Sequence, residues 1–517
     1  MTTTSNAKRA DWTVALDVSE DGNDPTFLRI ARAITDDIKR GRLKAGASLP
    51  GTRTLATSLG VHRNTVLAAY RELFAEGWIA SEKARGTFVS ASIPDVAPRR
   101  FSPRAEVAKE IATRAGFDLP DPISRARGAA LATNASQAER LDELLERART
   151  KKGRGLMNLG GGVPDVRLVP AAELARAMRR VVRLRGVEVL SYGDPEGPLV
   201  LREALASMVA ATRGLAARAE HVLVTRGSQM GIDLVARTLV KPGDVIAIEA
   251  LGYRPAWEAL RASGAKLVPV PIDAQGLDVD ALERLCETER VRGIYVTPHH
   301  QFPTTVTLAP ARRLRLLELA RARRLFVLED DYDHEFHYEG RPVLPLASAD
   351  LHGVVVYVGT LSKVLAPGMR IGFVVAPVPL VERLAAFRRI VDRQGDYLLE
   401  HAVAELLEEG EIQRHIRRAR RIYSERRAFL AALIEKELGD ALSFRLPNGG
   451  TALWAKVAPQ VSPDLWAARA SDAGLVLQPA RLFAIDGKAR PFLRLGFAQH
   501  DERETREAVR RLVQTRP

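Results

Sequence analysis

The sequence predicts an α/β protein, a mostly parallel sheet with helices on both faces, preceded by a small unit of three helices and a hairpin. Three observations carry this. Beyond Leu156, apolar strand-like runs alternate with amphipathic helical stretches. Ahead of residue 91, three segments with apolar residues at helical spacing are followed by two short strand-like runs around a basic turn. Between the two regions, Pro94, Pro98, Pro103, Pro120 and Pro122 interrupt a basic, alanine-rich stretch. The expected organisation is a tail over 1–23, a small domain over 24–91, a linker over 92–155 and a large domain over 156–517, with a smaller subdomain from about 400.

Composition sets the class. The chain has 517 residues, 46% hydrophobic and 27% charged, the ordinary range of a globular protein. Its 77 Lys and Arg against 63 Asp and Glu give a formal charge of +14, which favours a polyanionic partner. One cysteine, Cys286, excludes an internal disulfide and fits a reducing compartment. No run approaches a membrane span and the N-terminus has no apolar core of a signal peptide, so a cytoplasmic protein is expected. No metal site is expected.

In the first unit, Asp24-Pro25 reads as a helix start, and Phe27, Ile30, Ala31, Ile34 and Ile38 follow on one face. Thr52 caps a short helix carrying Leu55, Ala56 and Leu59, which Gly60 ends. A third helix from about Arg63 to Glu76 turns Val66, Ala69, Tyr70, Leu73 and Phe74 inward and Arg63, Asn64 and Arg71 outward. Trp78-Ile-Ala80 and Thr87-Phe-Val89 then form a hairpin around Lys83-Ala-Arg-Gly86. The tight Leu59-Gly-Val61 corner is what lets a third helix lie in the major groove of DNA. Nine Lys or Arg against three Asp or Glu between residues 39 and 90 fit phosphate contacts.

The segment from Gly46 to Val66, with Ala69-Tyr-Arg-Glu-Leu73, Glu76-Gly-Trp78 and Gly86-Thr-Phe-Val89, resembles the GntR family of bacterial transcription factors. That resemblance implies a winged helix-turn-helix on double-stranded operator DNA, touched by Arg53, Arg63, Asn64, Thr65 and Arg71, with Arg85, Gly86 and Thr87 at the wing tip. Gly51 and His62 replace the serines usual there, and each is expected to lose a phosphate or capping hydrogen bond. In the linker, Ser136-Gln-Ala-Glu139 has capping-box spacing ahead of Leu141, Leu144, Leu145 and Ala148, so part of it is expected to be helical.

In the large region the polar residues of interest fall at the carboxyl ends of predicted strands, where ligands sit in open α/β sheets. Val354 to Val358 and Ile371 to Val375 read as buried strands, and Lys363 lies on the connection between them. A lysine there can form a Schiff base with an aldehyde, and Arg370 can hold a phosphate. That pair is what pyridoxal phosphate requires. Gly227, Ser228 and Gln229 open a helix after the strand Val222–Thr225 and suit a phosphate. Asp330 would keep a pyridine nitrogen protonated, Tyr332 would bond the ring's phenolic oxygen, Tyr253 would stack on the ring, and Arg494 would take a substrate carboxylate.

The motifs Ser191-Tyr-Gly-Asp-Pro-Glu-Gly197, Thr225-Arg-Gly-Ser-Gln229, Thr297-Pro-His-His-Gln-Phe-Pro303, Glu329-Asp-Asp-Tyr-Asp333 and Gly359-Thr-Leu-Ser-Lys363 resemble the fold-type I aminotransferase domain. With the winged helix ahead, the whole chain resembles the MocR/GabR subfamily of GntR regulators. The resemblance implies a Lys363 aldimine, a cofactor site that adds Thr360 and Ser362, an effector site of Arg494 and Tyr192, and a head-to-tail homodimer. Where such aminotransferases carry Asn-Pro-Thr-Gly, this chain has Phe302-Pro-Thr-Thr305. The loss of the asparagine favours a sensor of an amine, an amino acid or the cofactor itself, the alternative being a working aminotransferase with a DNA-binding domain. The replacement of the glycine by Thr305 puts the turn in question. Arg414, Arg417, Arg418 and Arg421 form a basic stripe on a predicted helix that is solvated or faces a dimer partner, with contact to DNA phosphates as the alternative.

Overall fold

Ile30, Ala31, Ile34 and Ile38 fall on one side of a helix and are all buried, so the first of the expected elements forms for the reason its spacing suggests. In the computed structural model, which describes residues 25–82, 86–90, 155–340 and 343–517, the chain divides into two compact units. The first holds α1 (Thr26–Lys39), β1 (Ser48–Leu49), α2 (Thr52–Leu59), α3 (Arg63–Ala75), β2 (Ile79–Glu82) and β3 (Gly86–Val89). Pro25 is the N-cap of α1; Asp24, the expected cap, lies outside the described residues, as do Arg85 and the helix expected after Ser136.

Leu55, Ala56, Val66, Ala69, Tyr70 and Leu73 close the core between α1, α2 and α3. Burying each large aliphatic side chain contributes about 1.5–3 kcal/mol. Phe74, expected inside, is exposed. The wing has a third strand that the hairpin reading missed: β1 pairs antiparallel with β3 through Ser48–Phe88 and Leu49–Thr87. His62 does cap α3, its Nδ1 accepting from the Asn64 N–H at 3.2 Å, so the expected loss of a capping bond does not occur there. At α2 it does: Gly51, and not the expected Thr52, is the N-cap and offers no side chain.

The second unit is built on seven strands, β5 (Val222–Thr225), β6 (Val245–Glu249), β7 (Lys266–Val270), β10 (Val291–Val296), β11 (Phe326–Asp331), β12 (Val355–Thr360) and β13 (Gly372–Val375). Two short pairs stand apart from it: β4 (Met157–Asn158) with a later strand, and β8 (Ile272–Asp273) with β9 (Gly276–Leu277). The order is β5-β13-β12-β11-β10-β6-β7; β13 runs antiparallel to both neighbours and every other pair is parallel. Apolar clusters lie against both faces, which is why these strands read as continuous apolar runs. β11 extends to Asp331, so Asp330 lies on the strand itself.

A separate four-stranded antiparallel sheet, β14-β15-β18-β17, comprises β14 (Leu442–Phe444), β15 (Ala452–Val457), β17 (Gln478–Pro479) and β18 (Phe492–Gly496). The short β16 (Leu475–Val476) pairs in parallel with β4. Gly496 N–H donates to Leu159 O at 2.7 Å, which brings the glycine run Gly160-Gly-Gly162 beside β18. No helix among the described residues is long and apolar enough to cross a membrane.

Candidate functional site

Three parallel strands, β10, β11 and β12, aim their carboxyl ends at one place, and the polar residues there are the ones the motifs singled out. Asp330 on β11 is buried, and Tyr295 on β10 donates its hydroxyl to Asp330 Oδ2 at 2.7 Å. The other oxygen, Oδ1, is buried and meets no partner. Burial pushes the carboxyl up to about 7, the Tyr295 hydrogen bond opposing it. A cationic N–H donor at Oδ1 would satisfy the orphan oxygen and restore the charged form. A protonated pyridine nitrogen is such a donor.

Lys363 lies in the connection after β12 and donates from Nζ to Gly162 O at 2.6 Å. Burial, and after it the Arg494 guanidinium, bring its ammonium down to about 8. Neutral amine is therefore a minority near physiological pH, on the order of a tenth to a fifth, yet far more abundant than in an ordinary lysine, as covalent capture of an aldehyde needs. Gly161 and Gly162 both hold left-handed backbone, and a Cβ on Gly161 would fall 2.6 Å from Arg494 Nη1. Glycine is required where this loop passes between lysine and arginine.

The anion end is built from β5, the helix Gly227–Leu239 and the turn before β13. Arg370, exposed and in the left-handed region, donates from Nη2 to Arg226 O at 2.9 Å. Its guanidinium lies where a Cβ on Gly227 would be, 2.9 Å from Nη2, and Gly227 itself has φ of 75°. The unpaired N–H groups of Gly227, Ser228 and Gln229 thus open beside a fixed guanidinium, a double provision for a phosphate. The Gln229 side chain is committed elsewhere, to Pro255 O at 2.8 Å, and offers the site only its backbone. Thr360 accepts from Ser362 N–H at 3.0 Å and bonds Ile371 O at 3.2 Å, holding the turn that carries Ser362 and Lys363.

Tyr253 meets Phe302 edge-on at 5.7 Å, and its phenol is raised by burial and then by the Asp330 charge. Tyr332 does not point a free hydroxyl into the site: it donates to His300 O at 3.0 Å, and burial holds its phenol well above the usual range. Phe302, standing where the asparagine would be, is ringed by Tyr253, Tyr332 and Phe483. Thr305 keeps the turn that a glycine would favour, with φ of 63° and its N–H donated to Gln301 O at 2.7 Å.

Arg494, central in β18, is almost wholly buried, with its guanidinium 4.7 Å over the Phe302 ring. Its polar contacts are a long one to Gly160 O at 3.5 Å and the approach of Tyr332; Nε and Nη2 make no hydrogen bond of ordinary geometry. Burial lowers its affinity for the proton it carries. A desolvated cation with spare donors beside Lys363 has the chemistry to pair with a carboxylate.

Tyr192 is not brought to this site. It is 81% exposed, with the Arg393 guanidinium 4.6 Å over its ring. The sequence reading missed Tyr295, Gly161, Gly162 and Glu249. Glu249, pushed up to about 7 by burial, accepts from Thr297 Oγ1 at 2.8 Å and from Thr297 N–H at 3.2 Å, which seats the Phe302 loop. The three consecutive glycines were a visible signal; Tyr295 becomes meaningful only once β10 is known to flank β11.

In the first unit Arg53, Arg63, Asn64 and Arg71 are exposed, Thr65 is half-buried, and Arg63 Nε reaches Thr52 Oγ1 at 3.4 Å. Gly86 begins β3 exposed with Thr87 beside it. On the helix Glu411–Leu438, Arg414 pairs with Glu411 at 2.7 Å, Arg418 donates to Leu168 O and Arg421 stands 4.0 Å from Glu425. Much of the basic stripe is therefore engaged within the chain.

Comparison with known proteins agrees with both halves. Residues 26–89 match the gntR family of bacterial regulatory proteins, and residues 154–512 match aminotransferase class I and II. The chain is 32% identical to the probable rhizopine catabolism regulatory protein MocR of Rhizobium meliloti, over 96% of this chain and 94% of that one. It is 30% identical to the transcriptional regulator TauR of Rhodobacter capsulatus, over 94% and 95%. Among solved structures, the α-aminoadipate aminotransferase LysN of Thermus thermophilus, bound to N-(5'-phosphopyridoxyl)-L-leucine, superposes with a TM-score of 0.66 at 31% identity, covering 74% of this chain and 97% of that one. A gntR module ahead of an aminotransferase class I and II domain, together with full-length likeness to MocR and TauR, places the chain in the MocR/GabR subfamily of pyridoxal phosphate-dependent GntR transcription regulators.

Proposed function

We propose that the chain senses a primary amine or amino acid, or the cofactor itself, at Lys363 and relays occupancy of that site to operator binding. The observation that carries this is the triad of Lys363, half-satisfied Asp330 and donor-rich Arg494, each buried or half-buried and each lacking part of its natural complement. Bound pyridoxal phosphate supplies an aldehyde that can pass from one amine to another and a ring able to withdraw electrons. The residues do the rest. Lys363 offers a neutral amine, Asp330 holds a proton on the ring nitrogen, and the Gly227–Gln229 helix end with Arg370 takes the phosphate. Tyr253 covers the ring. Arg494 selects for a carboxylate.

Phe302 argues for sensing over turnover, because an apolar ring at that place cannot bond the cofactor's phenolic oxygen and the Tyr332 hydroxyl donates its hydrogen bond to His300 O. A homodimer is supported by the run Val182, Leu184, Val187, Leu190 and Tyr192, exposed large side chains concentrated in one short segment of the second unit. Tyr192 would then face the partner and not its own site. The head-to-tail arrangement and a cytoplasmic setting complete the reading.

The test is binding of the full chain to its own upstream DNA, with and without pyridoxal phosphate. Arg63→Glu should weaken binding by about tenfold or more and flatten the dependence of log affinity on log salt by about one unit. Salt dependence unchanged by this substitution would remove α3 from the DNA interface.

A further inference from the structure

The segments that follow β10 and β11 beside the cofactor site also bring four imidazoles together, and the sensing function uses none of their ring nitrogens. His299, His300 and His334 are buried and His337 is half-buried; ring centroids lie 4.3 Å apart for His299–His300, 4.6 Å for His299–His334, 6.3 Å for His299–His337 and 6.4 Å for His300–His337. Neither nitrogen of His299 has a hydrogen-bond partner, although the residue is only 3% exposed. Both His337 nitrogens are also shielded, with only a weak approach from the Glu339 backbone. Buried polar atoms are rarely left so, and such a pair asks for a missing partner.

We propose that His299, His300 and His337 bind one divalent transition-metal ion of the zinc class. One nitrogen from each lies within 4.8 Å of the other two. A tetrahedral set at Zn–N of about 2.0–2.1 Å needs spacings near 3.3 Å, so ring rotations of about 1 Å close the site. Imidazole suits zinc, cobalt, nickel and copper, whereas magnesium and calcium require oxygen. Asp333 Oδ1 lies 2.8 Å from His300 Nδ1, the carboxylate–histidine arrangement that turns the other nitrogen, Nε2, toward a metal. Gly449 keeps that nitrogen accessible, since a Cβ there would fall 2.3 Å from it. His334 is already committed, its Nδ1 3.1 Å from Asp331 Oδ2 and its Nε2 3.3 Å from Thr212 O, so it packs as a wall against His299. Three protein ligands leave one position open. An ion can enter from the cleft of about 730 Å³ that His300 lines together with Pro447, Asn448 and Trp454. Tyr332, which donates to His300 O, and Phe302, two residues on, would link this ion to the floor of the sensing site.

The experiment uses tag-free full-length protein whose cofactor has been fixed by borohydride reduction, so that free pyridoxal phosphate cannot chelate the probe. After chelator dialysis, cobalt(II) should give the intense visible bands of a four-coordinate nitrogen site, saturate at one ion per chain and be displaced by zinc. His337→Gln and His299→Ala should each lower cobalt affinity at least about tenfold and remove the rise in melting temperature that zinc gives the parent protein. His337 is half-buried and its ring nitrogens make no hydrogen bond of ordinary geometry, so its substitution should cost the fold less than that of His299. Absence of saturable cobalt binding, or binding undiminished in both variants, would overturn the site.

Discussion

Lys363→Ala abolishes the visible absorbance of the cofactor-loaded protein and, with it, the response of operator binding to amines. The charged groups that act on Lys363 are Arg494, Asp333, Asp330 and Arg370, none of them a primary amine. The variant should still bind pyridoxal phosphate weakly through the helix end at Gly227, so the loss is of covalent attachment and signalling. A pH dependence comes with it. Burial and Arg494 bring the folded-state lysine from 10.5 to about 8, so attachment to cofactor-free protein should rise with pH and level off above about 8. For the cofactor-free fold the sign is the same. Between about 8 and 10.5 the unfolded chain holds a proton that the folded chain has released, and stability increases with pH across that window. Absorbance retained in Lys363→Ala would place the attachment on another residue.

Arg494→Gln separates carboxylated effectors from plain amines. The guanidinium is buried with unused donors, so a carboxylate bound to it is desolvated and paired, an interaction whose removal costs about 2–5 kcal/mol. The response to an amino acid should therefore shift to concentrations higher by about thirtyfold or more, while the response to an amine without a carboxylate is kept. Lys363 should also titrate closer to the usual range of a lysine, because the second cause of its depression is gone. Equal losses for the amino acid and the amine would mean that Arg494 supports the fold and does not read the effector.

The parts of the fold that sequence reveals are those where a single physical demand dominates. The strands of the main sheet were legible because, the edge strand β7 apart, burial on both faces leaves little room for polar residues. The sheet around Arg494 was not, since two of its members, β14 and β17, are only three and two residues long. The same division holds in the site. Lys363, Asp330 and Arg370 stand at strand ends, where a charged residue beside an apolar run is conspicuous. Tyr295 lies inside β10 and looks like packing; its role depends on which strand is its neighbour. His62 shows that a position can keep its task with a different atom, an imidazole nitrogen accepting the bond a serine oxygen would take. Tyr192 shows the converse, a motif residue whose side chain leaves its own site altogether. The histidines were invisible as a group because His299 and His300 are separated in sequence from His334 and His337, and only the adjacency of β10 and β11 unites them.

The central claim is that occupancy at Lys363 governs DNA binding, and one titration tests it directly. Cofactor-loaded full-length protein on its own upstream DNA is titrated with amines and amino acids while the cofactor's absorbance and the fraction of bound DNA are followed together. The account predicts that, for an effective ligand, both signals move over the same concentration range and neither moves in Lys363→Ala. A spectral change that runs to completion while DNA binding stays constant for every ligand would contradict it.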